Sequence, residues 1–321
     1  MIHFALTRGH DYTLEVVRKS RQTPTTRLIN YDTLFRKSRL PHSTYVFSDL
    51  DRLSYWDLEL AGHLYLELKN AGLKVLNNPA RAKKRYALLR CLYEAGLNDF
   101  NAYRAEAVPA SIRFPVFLRK LNGHGKPLSD LLHTRGDLEK KIDAGIAAGI
   151  PIENQIVIEY AGEPVREGLF RRLTAYRIGG NIVPTVCAHD TAWLVKSGKL
   201  GIAGEKLYRE ELDLIRTNPH AGHLRKVFEL AEIEYGRADF GFCRGRIQIF
   251  EINTNPNVKA FSPHPSPFRE QSMRASWEQF TGALREIDSG AGPDVGFARD
   301  KLRPYRRWNW NNWLTRTKRV E

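Results

Sequence analysis

The stretch "ADFGFCRGRIQIFEINTNPNV", Ala238 to Val258, carries the strongest chemical signal in the chain. Two apolar, β-favouring runs flank Arg244–Gly245–Arg246 and end in an Asn- and Pro-rich loop, which reads as a hairpin. Side chains alternate along a strand, so Glu251 and Asn253 share a face. The position of Asp239 depends on the turn. A two-residue turn sets it opposite Phe250, and a three-residue turn through Arg244–Gly245–Arg246 sets it opposite Glu251. Arg-Gly lacks the Asn-Gly signal of the shorter turn, and Gly245 suits the left-handed position of the longer one. In that register two carboxylates and an amide oxygen converge, and like charges directly opposite destabilise a sheet unless something neutralises them. A hard cation such as Mg²⁺ would do so. So would Arg237 and Arg246 acting as surface salt-bridge partners.

Outward from this hairpin, the chain alternates between strand and helix signals. Tyr45–Phe47 forms a short β-favouring run that breaks at Ser48–Asp51. Ser54 offers an N-cap, Leu58, Ala61, Tyr65 and Leu68 follow at helical spacing, and Gly72 ends the helix. "LKVL" predicts a strand and Arg81–Ala95 a second helix, so this part reads as a parallel α/β lobe. The first forty residues predict one short strand and then loops. Phe114–Leu118 and "QIVIEY" read as strands around the helical segment "LSDLLHTRGDLEKKIDAGIAAG". "FRRLTAYRI" and "IVPTVCAH" form a hairpin across Gly179–Gly180–Asn181. Glu205–Tyr235 reads as helical, and a last helix follows the Pro-rich loop after Val258. "SGAGPDVG" reads as a linker to a basic, Trp-rich tail.

With 321 residues, 42% hydrophobic, the chain can bury a substantial core in two or three lobes. No window approaches the about 18 apolar residues of a membrane span, and the start lacks the features of a signal peptide. Cys91, Cys187 and Cys243 are too scattered for a disulfide framework or a zinc site, so a reducing, cytoplasmic setting is expected. A net charge of +14 suits a phosphate-bearing partner. Nearly half of it lies in Arg299–Glu321, where eight Lys/Arg face two acids around Trp308, Trp310 and Trp313. Docking of those tryptophans on the main body is preferred to nucleic-acid binding.

The ordered set of segments resembles the ATP-grasp proteins from about Tyr45 to Pro256. "ADFGF" with "IFEINTNP" is similar to their metal-binding hairpin. "GLKVLNNPARAKKRYALLRCLYEAGL" resembles the end of the preceding lobe with its phosphate-contacting helix, and "FPVFLRKLNGHGKP" resembles their strand, basic residue and Gly-rich phosphate loop. "QIVIEYAGEP" is similar to their adenine-binding segment, and "LFRRLTAYRIGGNIVP" to a hairpin with a substrate- or phosphate-binding Arg. The resemblance implies an α+β ATP-grasp fold, two lobes clasping ATP behind a small α/β lobe. The divisions it implies are 1–80, 81–162 and 163–290, with the tail at 291–321.

Carried over by position, Asp239, Glu251 and Asn253 would hold Mg²⁺. Glu159, Tyr160 and Gly162 would line the adenine site, and Glu167 would meet the ribose. ATP-grasp proteins usually carry Lys at the two basic contacts. Here Arg85 and Arg119 occupy them, each beside a lysine, Lys84 and Lys120. Gly123, His124 and Gly125 would form the phosphate loop. Of the two catalytic candidates Arg172 and Arg177, which lie five apart and point to opposite faces of a strand, Arg172 is favoured for the reacting phosphoryl group and Arg177 for a structural role. Lys196 reads by default as an exposed loop lysine. The adjacent His189 and Asp190 would face opposite ways along a strand, which argues against a dyad.

The resemblance implies a ligase that activates a small-molecule carboxylate as an acyl phosphate, releases ADP and joins the acid to an amine or other nucleophile. The acceptor pocket would lie around Ser48–Arg52 and Asn255–His264. The alternatives are an ATP-grasp kinase, or a basic binding protein that uses its Trp-rich tail. The identities of acid and nucleophile and the oligomeric state are left open by the residues.

Overall fold

The computed structural model describes residues 1–123, 125–259 and 261–298. The chain opens with β1 (Ile2–Leu6), α1 (Glu15–Lys19), β2 (Thr26–Asn30), α2 (Tyr31–Leu34), β3 (Arg39–His42), β4 (Thr44–Phe47), α3 (Tyr55–Asn70) and β5 (Val75–Leu76). Four of these strands form a parallel sheet in the order β2-β1-β4-β5. The opening segment therefore holds three strands where one was expected. β1 is buried at every position, so its five residues show none of the alternation that marks a half-exposed strand. The α3 start is as read: Ser54 accepts the Asp57 amide proton at 3.1 Å and donates to Asp57 Oδ2 at 2.8 Å.

Next come α4 (Arg85–Glu94), β6 (Ala102–Arg104), β7 (Val116–Lys120), α5 (Arg135–Ala147) and β8 (Gln155–Glu159). The three strands form an antiparallel sheet, β6-β8-β7, with α5 packed on one face. Both helices start later than their periodicity suggests. The Thr134 hydroxyl accepts from Asp137 N–H and sets the first turn of α5, and α4 begins only after the Asn78–Ala82 turn.

The last part is β9 (Phe170–Ile178), β10 (Asn181–Asp190), α6 (Glu205–Thr217), α7 (Ala221–Ala231), β11 (Tyr235–Cys243), β12 (Arg246–Asn253), α8 (Pro267–Ile287) and β13 (Gly292–Gly296). The sheet order is β10-β9-β11-β12, all antiparallel. The single helical pattern from Glu205 breaks at Asn218, whose left-handed backbone (φ 47°) ends α6, and Tyr235 opens β11 instead of closing a helix. The expected linker also differs: Gly292–Gly296 returns to the first lobe and pairs with β3. The Trp-rich tail lies outside the described residues.

The first sheet and the antiparallel sheet share one core. Phe4 meets Tyr235 edge-on at 4.9 Å, and α8 packs Phe280, Leu284 and Ile287 into the same cluster. Asn77, wholly buried, brackets the two sheets. Its amide donates to Phe47 O and Tyr235 O, and its oxygen accepts from the backbone N–H groups of Glu234 and Tyr235. The β12 end is thereby fixed against the C-terminal ends of β1 and β4. No helix among the described residues is long and apolar enough to cross a membrane.

Candidate active site

The β11–β12 hairpin turns through two residues, Arg244 (φ 52°) and Gly245 (φ 72°), with Cys243 paired to Arg246. The three-residue turn read from the sequence is therefore absent. Asp239 nevertheless stands opposite Glu251, because Phe240 pairs with Ile249 and the ladder skips Phe250. This is a β-bulge, in which one extra residue on one strand shifts the register beyond it. Side chains from outside the hairpin hold the outer edge of β12 beside it. Asn98 donates to Ile249 O at 2.9 Å and accepts from Ile249 N–H at 2.8 Å, and Asp99 and Gln248 bond to each other beside it. That pairing holds the strand just before the bulge. The displaced Phe250 ring lies over Gly241, where an added Cβ would sit 3.0 Å from the ring edge.

Arginines surround the two opposed carboxylates. Arg172 Nη1 meets Asp239 Oδ2 at 2.8 Å and Arg237 Nε meets Oδ1 at 3.0 Å. Arg85 Nη2 meets Glu251 Oε2 at 2.5 Å, with Arg119 Nη2 at 3.7 Å. Arg246, the other expected salt-bridge partner, pairs with Asp99. Burial, with Arg85 as a like charge, pulls Arg119 down to about 10. Burial would lower Arg237 as well, but Asp239 beside it holds the guanidinium above its ordinary value. The Nε groups of both Arg119 and Arg172 are buried without a hydrogen-bond partner. Such donors are costly unless an acceptor meets them, and a phosphate oxygen is a suitable one.

The oxygen set fits Mg²⁺. Among the described residues no three His, Cys, Asp or Glu side chains gather as a candidate metal site, and the oxygens that could meet a cation here are two carboxylates and the Asn253 amide oxygen. Mg²⁺ takes one or two protein carboxylates and completes its shell with water and phosphate, whereas zinc prefers sulfur and nitrogen. Asn253 Oδ1 accepts from Asn255 N–H at 2.8 Å, which fixes the amide and leaves the oxygen a second lone pair.

From these charges a cavity of about 280 Å³ runs between the two antiparallel sheets to an apolar end. Trp193 lies there, 5.1 Å from the Phe117 ring and 5.5 Å edge-on from Tyr160, with Phe100 and Phe250 behind. A cavity charged at one end and aromatic at the other matches the two ends of a nucleotide.

No family model matches the chain, and no curated protein does. Among solved structures, D-alanine–D-alanine ligase from Bacillus anthracis is similar, with a TM-score of 0.53 and 13% identity over 89% of this chain and 95% of that one. The chain has the ATP-grasp fold. ATP-grasp ligase PsnB complexed with minimal precursor also aligns (TM-score 0.47, 13% identity, 89% and 99% covered), as does the RimK domain protein ATP-grasp from Sphaerobacter thermophilus DSM 20745 (0.47, 15%, 90% and 100%).

Within this ATP-grasp fold, the structure brings together Arg85, Arg119, Arg172, Asp239, Glu251 and Asn253 at the charged end, with Gly125 above them and Tyr160 and Gly162 at the aromatic end. Arg85 Nη1 donates to Gly123 O at 2.9 Å and Arg119 Nη2 to Gly125 O at 3.3 Å, so the loop rests on the two arginines. His124 lies outside the described residues. Tyr160 N–H donates to Pro115 O, and its hydroxyl is buried without a partner and pushed up to about 12 by burial. At Gly162 an added Cβ would sit 2.8 Å from that hydroxyl.

Other predicted residues lie elsewhere. Lys120 is exposed, since Val116, Leu118 and Lys120 alternate with the cavity-facing Phe117 and Arg119. Lys84 turns toward the first lobe and donates to Leu53 O at 2.8 Å. Arg177 does not line the cavity and donates to Gly179 O at 3.0 Å. Glu167 sits in an exposed turn between Arg166 and Leu169. The Glu159 backbone lines the site, but its carboxylate is buried against Arg113 and the backbone N–H groups of Asn101 and Arg113.

The sequence reading missed Trp193, Glu163 and Arg237 as cavity residues, and it set Lys196 aside. Glu163 Oε2 accepts from Arg244 N–H at 2.8 Å, and the Lys196 carbonyl accepts from Arg172 Nη2 at 2.6 Å. For Arg237 a signal existed, its two-residue spacing from Asp239 on one strand face. Trp193 comes from an irregular loop, and periodicity gives no access to it.

Proposed function

We propose that the protein binds ATP with Mg²⁺ and transfers the γ-phosphoryl group to a small-molecule carboxylate, releasing ADP. An amine or other nucleophile then attacks the acyl carbon, and the C–O bond to the phosphate group breaks with release of inorganic phosphate. The observation that carries this reading is the opposition of Asp239 and Glu251 under four guanidiniums, at the end of a cavity whose other end is aromatic.

In this mechanism the base lies between Phe117, Tyr160 and Trp193, and Ala161 and Gly162 offer it their backbone. Arg85, Arg119, Arg172 and Arg237 would exchange part of their carboxylate bonding for phosphate oxygens. Planar guanidiniums can hold phosphate bidentately, which suits arginine where lysine is more usual. Held by Asp239, Glu251 and Asn253, Mg²⁺ would neutralise charge on the phosphoryl oxygens. Gly123 and Gly125, whose carbonyls accept from Arg85 and Arg119, would help to exclude water from the transferring group. The attacking carboxylate is already ionised at neutral pH, so the first step requires no general base.

The test is product analysis: MgATP, a panel of carboxylic acids and amines, and mass spectrometry of the nucleotide and the organic product. ADP with an amide, ester or thioester product supports the reading. AMP would overturn the acyl-phosphate route. ADP with a stable phosphorylated acceptor would make the protein a kinase.

A further inference from the structure

A smaller pocket, of about 30 Å³, abuts the main cavity and shares Arg85, Glu251 and Asn253 with it. Its far wall belongs to the first lobe, at Leu50 and Asp51, and Lys84 lines it. In sequence Lys84 and Arg85 look like a redundant pair. Their side chains diverge because Lys84 is the N-cap of α4 with an extended backbone (φ −72°, ψ 168°), whereas Arg85 has already entered the helix. Arg85 reaches Glu251 and Gly123 O, and Lys84 reaches Leu53 O and lies 5.4 Å from the Tyr55 ring centroid. Burial pulls the Lys84 ammonium down, partly offset by Asp51 and Asp57.

We propose that Lys84 is the acceptor-side cation, holding the carboxylate of the acid for in-line attack from the smaller pocket. This deepens the proposed function and rests on it. If the nucleotide runs from Trp193 to Glu251, its γ-phosphate ends at the residues that the two pockets share. A nucleophile opposite the leaving ADP then arrives from beyond Glu251 and Asn253, where the smaller pocket lies. A carboxylate entering there passes two acids, Glu251 and Asp51, and needs a cation to hold it. An ammonium has three donors, of which Leu53 O engages one. The volume admits on the order of two or three heavy atoms, the size of a carboxylate head.

The rest of the acid would extend into the first-lobe crevice. That crevice lies between β1 and β4, where the strand order reverses, and open α/β sheets bind ligands outside the carboxyl ends of strands at such a point. Thr7, His10 and Arg52 gather there around the buried Asp49. Thr254 joins this wall to β12 by accepting from Leu50 N–H at 3.1 Å. In the chemical step a carboxylate oxygen forms the new O–P bond as the bond from the γ-phosphorus to the β,γ-bridging oxygen breaks. The electron pair leaves with ADP, and no proton moves.

The experiment has two arms, each using wild type, Lys84→Gln, Lys84→Arg and Arg85→Gln. In the first, MgATP is titrated by calorimetry. Arg85→Gln weakens binding about tenfold or more, and Lys84→Gln leaves it within about twofold. In the second, MgATP is incubated with hydroxylamine and acetate, glycine, alanine, glutamate, succinate or lactate, and hydroxamate and ADP are measured. For an acid that the wild type activates, Lys84→Gln raises its KM by about 10- to 100-fold with the KM for ATP unchanged, and Lys84→Arg recovers part of the loss. An equal loss of MgATP affinity in Lys84→Gln and Arg85→Gln overturns the assignment, as does an unchanged KM for the acid. Absence of hydroxamate with every acid in the wild type overturns the acyl-phosphate reading and this assignment together.

Discussion

The two ends of the cavity are built by different means. The charged end is made by strands: Asp239, Glu251, Arg237 and Asn253 stand on one face of the β11–β12 ladder, and Arg172 reaches them from β9. The aromatic end is made of pieces that no single element supplies, with Phe117 on β7, Tyr160 after β8, Phe250 at a bulge and Trp193 in a loop. A ladder fixes positions through backbone pairing, so the chemistry placed on it tolerates little change. A mosaic of rings depends on packing, so each ring should contribute affinity in smaller steps.

The contrast predicts different responses at the two ends. Asp239→Asn keeps shape but removes the charge that balances Arg172 and Arg237. ATP turnover, measured by ADP release on the folded protein, should fall by about 10²- to 10³-fold, and Tm should fall as well because two guanidiniums lose their buried partner. A large Tm change with turnover retained would mean that the pair is only structural.

Asn98→Ala attacks the ladder without touching the cavity. It leaves Ile249 N–H and C=O at a buried edge without their partners, so stability should drop by about 1–3 kcal/mol for each group left unpaired, read from urea unfolding. If the bulge depends on this clamp, MgATP affinity falls with stability. Retained affinity would show that the opposition of Asp239 and Glu251 is held from within the hairpin.

At the aromatic end, Trp193→Ala should weaken MgATP by about 1–2 kcal/mol, five- to thirtyfold in Kd, and leave the maximal turnover rate nearly intact. Gly241→Ala should do the same to a smaller degree, because the new methyl presses on the Phe250 ring.

A further effect concerns pH and lies outside the cavity. Burial lowers His3 and His189 to about 4, in His189 with help from Arg171 and Arg269, while in the unfolded chain both would titrate near the ordinary histidine value of about 6.5. The unfolded state then binds more protons between these values. Tm should therefore be indifferent to these groups above pH 6.5 and fall as pH drops toward 4. A Tm that holds steady to pH 4 would contradict this burial.

The same contrast explains what was legible in the sequence. Charged residues in a strand are conspicuous, so Asp239, Glu251 and Asn253 stood out, and Ser54 and Gly72 marked the ends of α3. The route to the register did not stand out. Asn98, which clamps the strand beside the bulge, stands 151 positions from Ile249, and no local pattern encodes that contact. Side-chain direction was equally hidden within the basic pairs. Lys84 and Arg85 part at a helix N-cap, and Arg119 and Lys120 part by strand alternation. Gly292–Gly296 resembled a linker because its composition is that of a turn, yet β3 gives it a partner. Trp193 belongs to a loop whose position is set by tertiary contacts alone.

The central claim is that Asp239 and Glu251 together hold the metal-bound phosphates. Calorimetric titration of MgATP into wild type and Glu251→Gln tests it most directly. The substitution keeps the size of the side chain, removes the charge facing Arg85 and Arg119, and takes away one of the two carboxylates. Tight binding by wild type, reduced about tenfold or more in Glu251→Gln and no longer strengthened by Mg²⁺, is the predicted result. Equal binding of MgATP by both proteins would contradict the account.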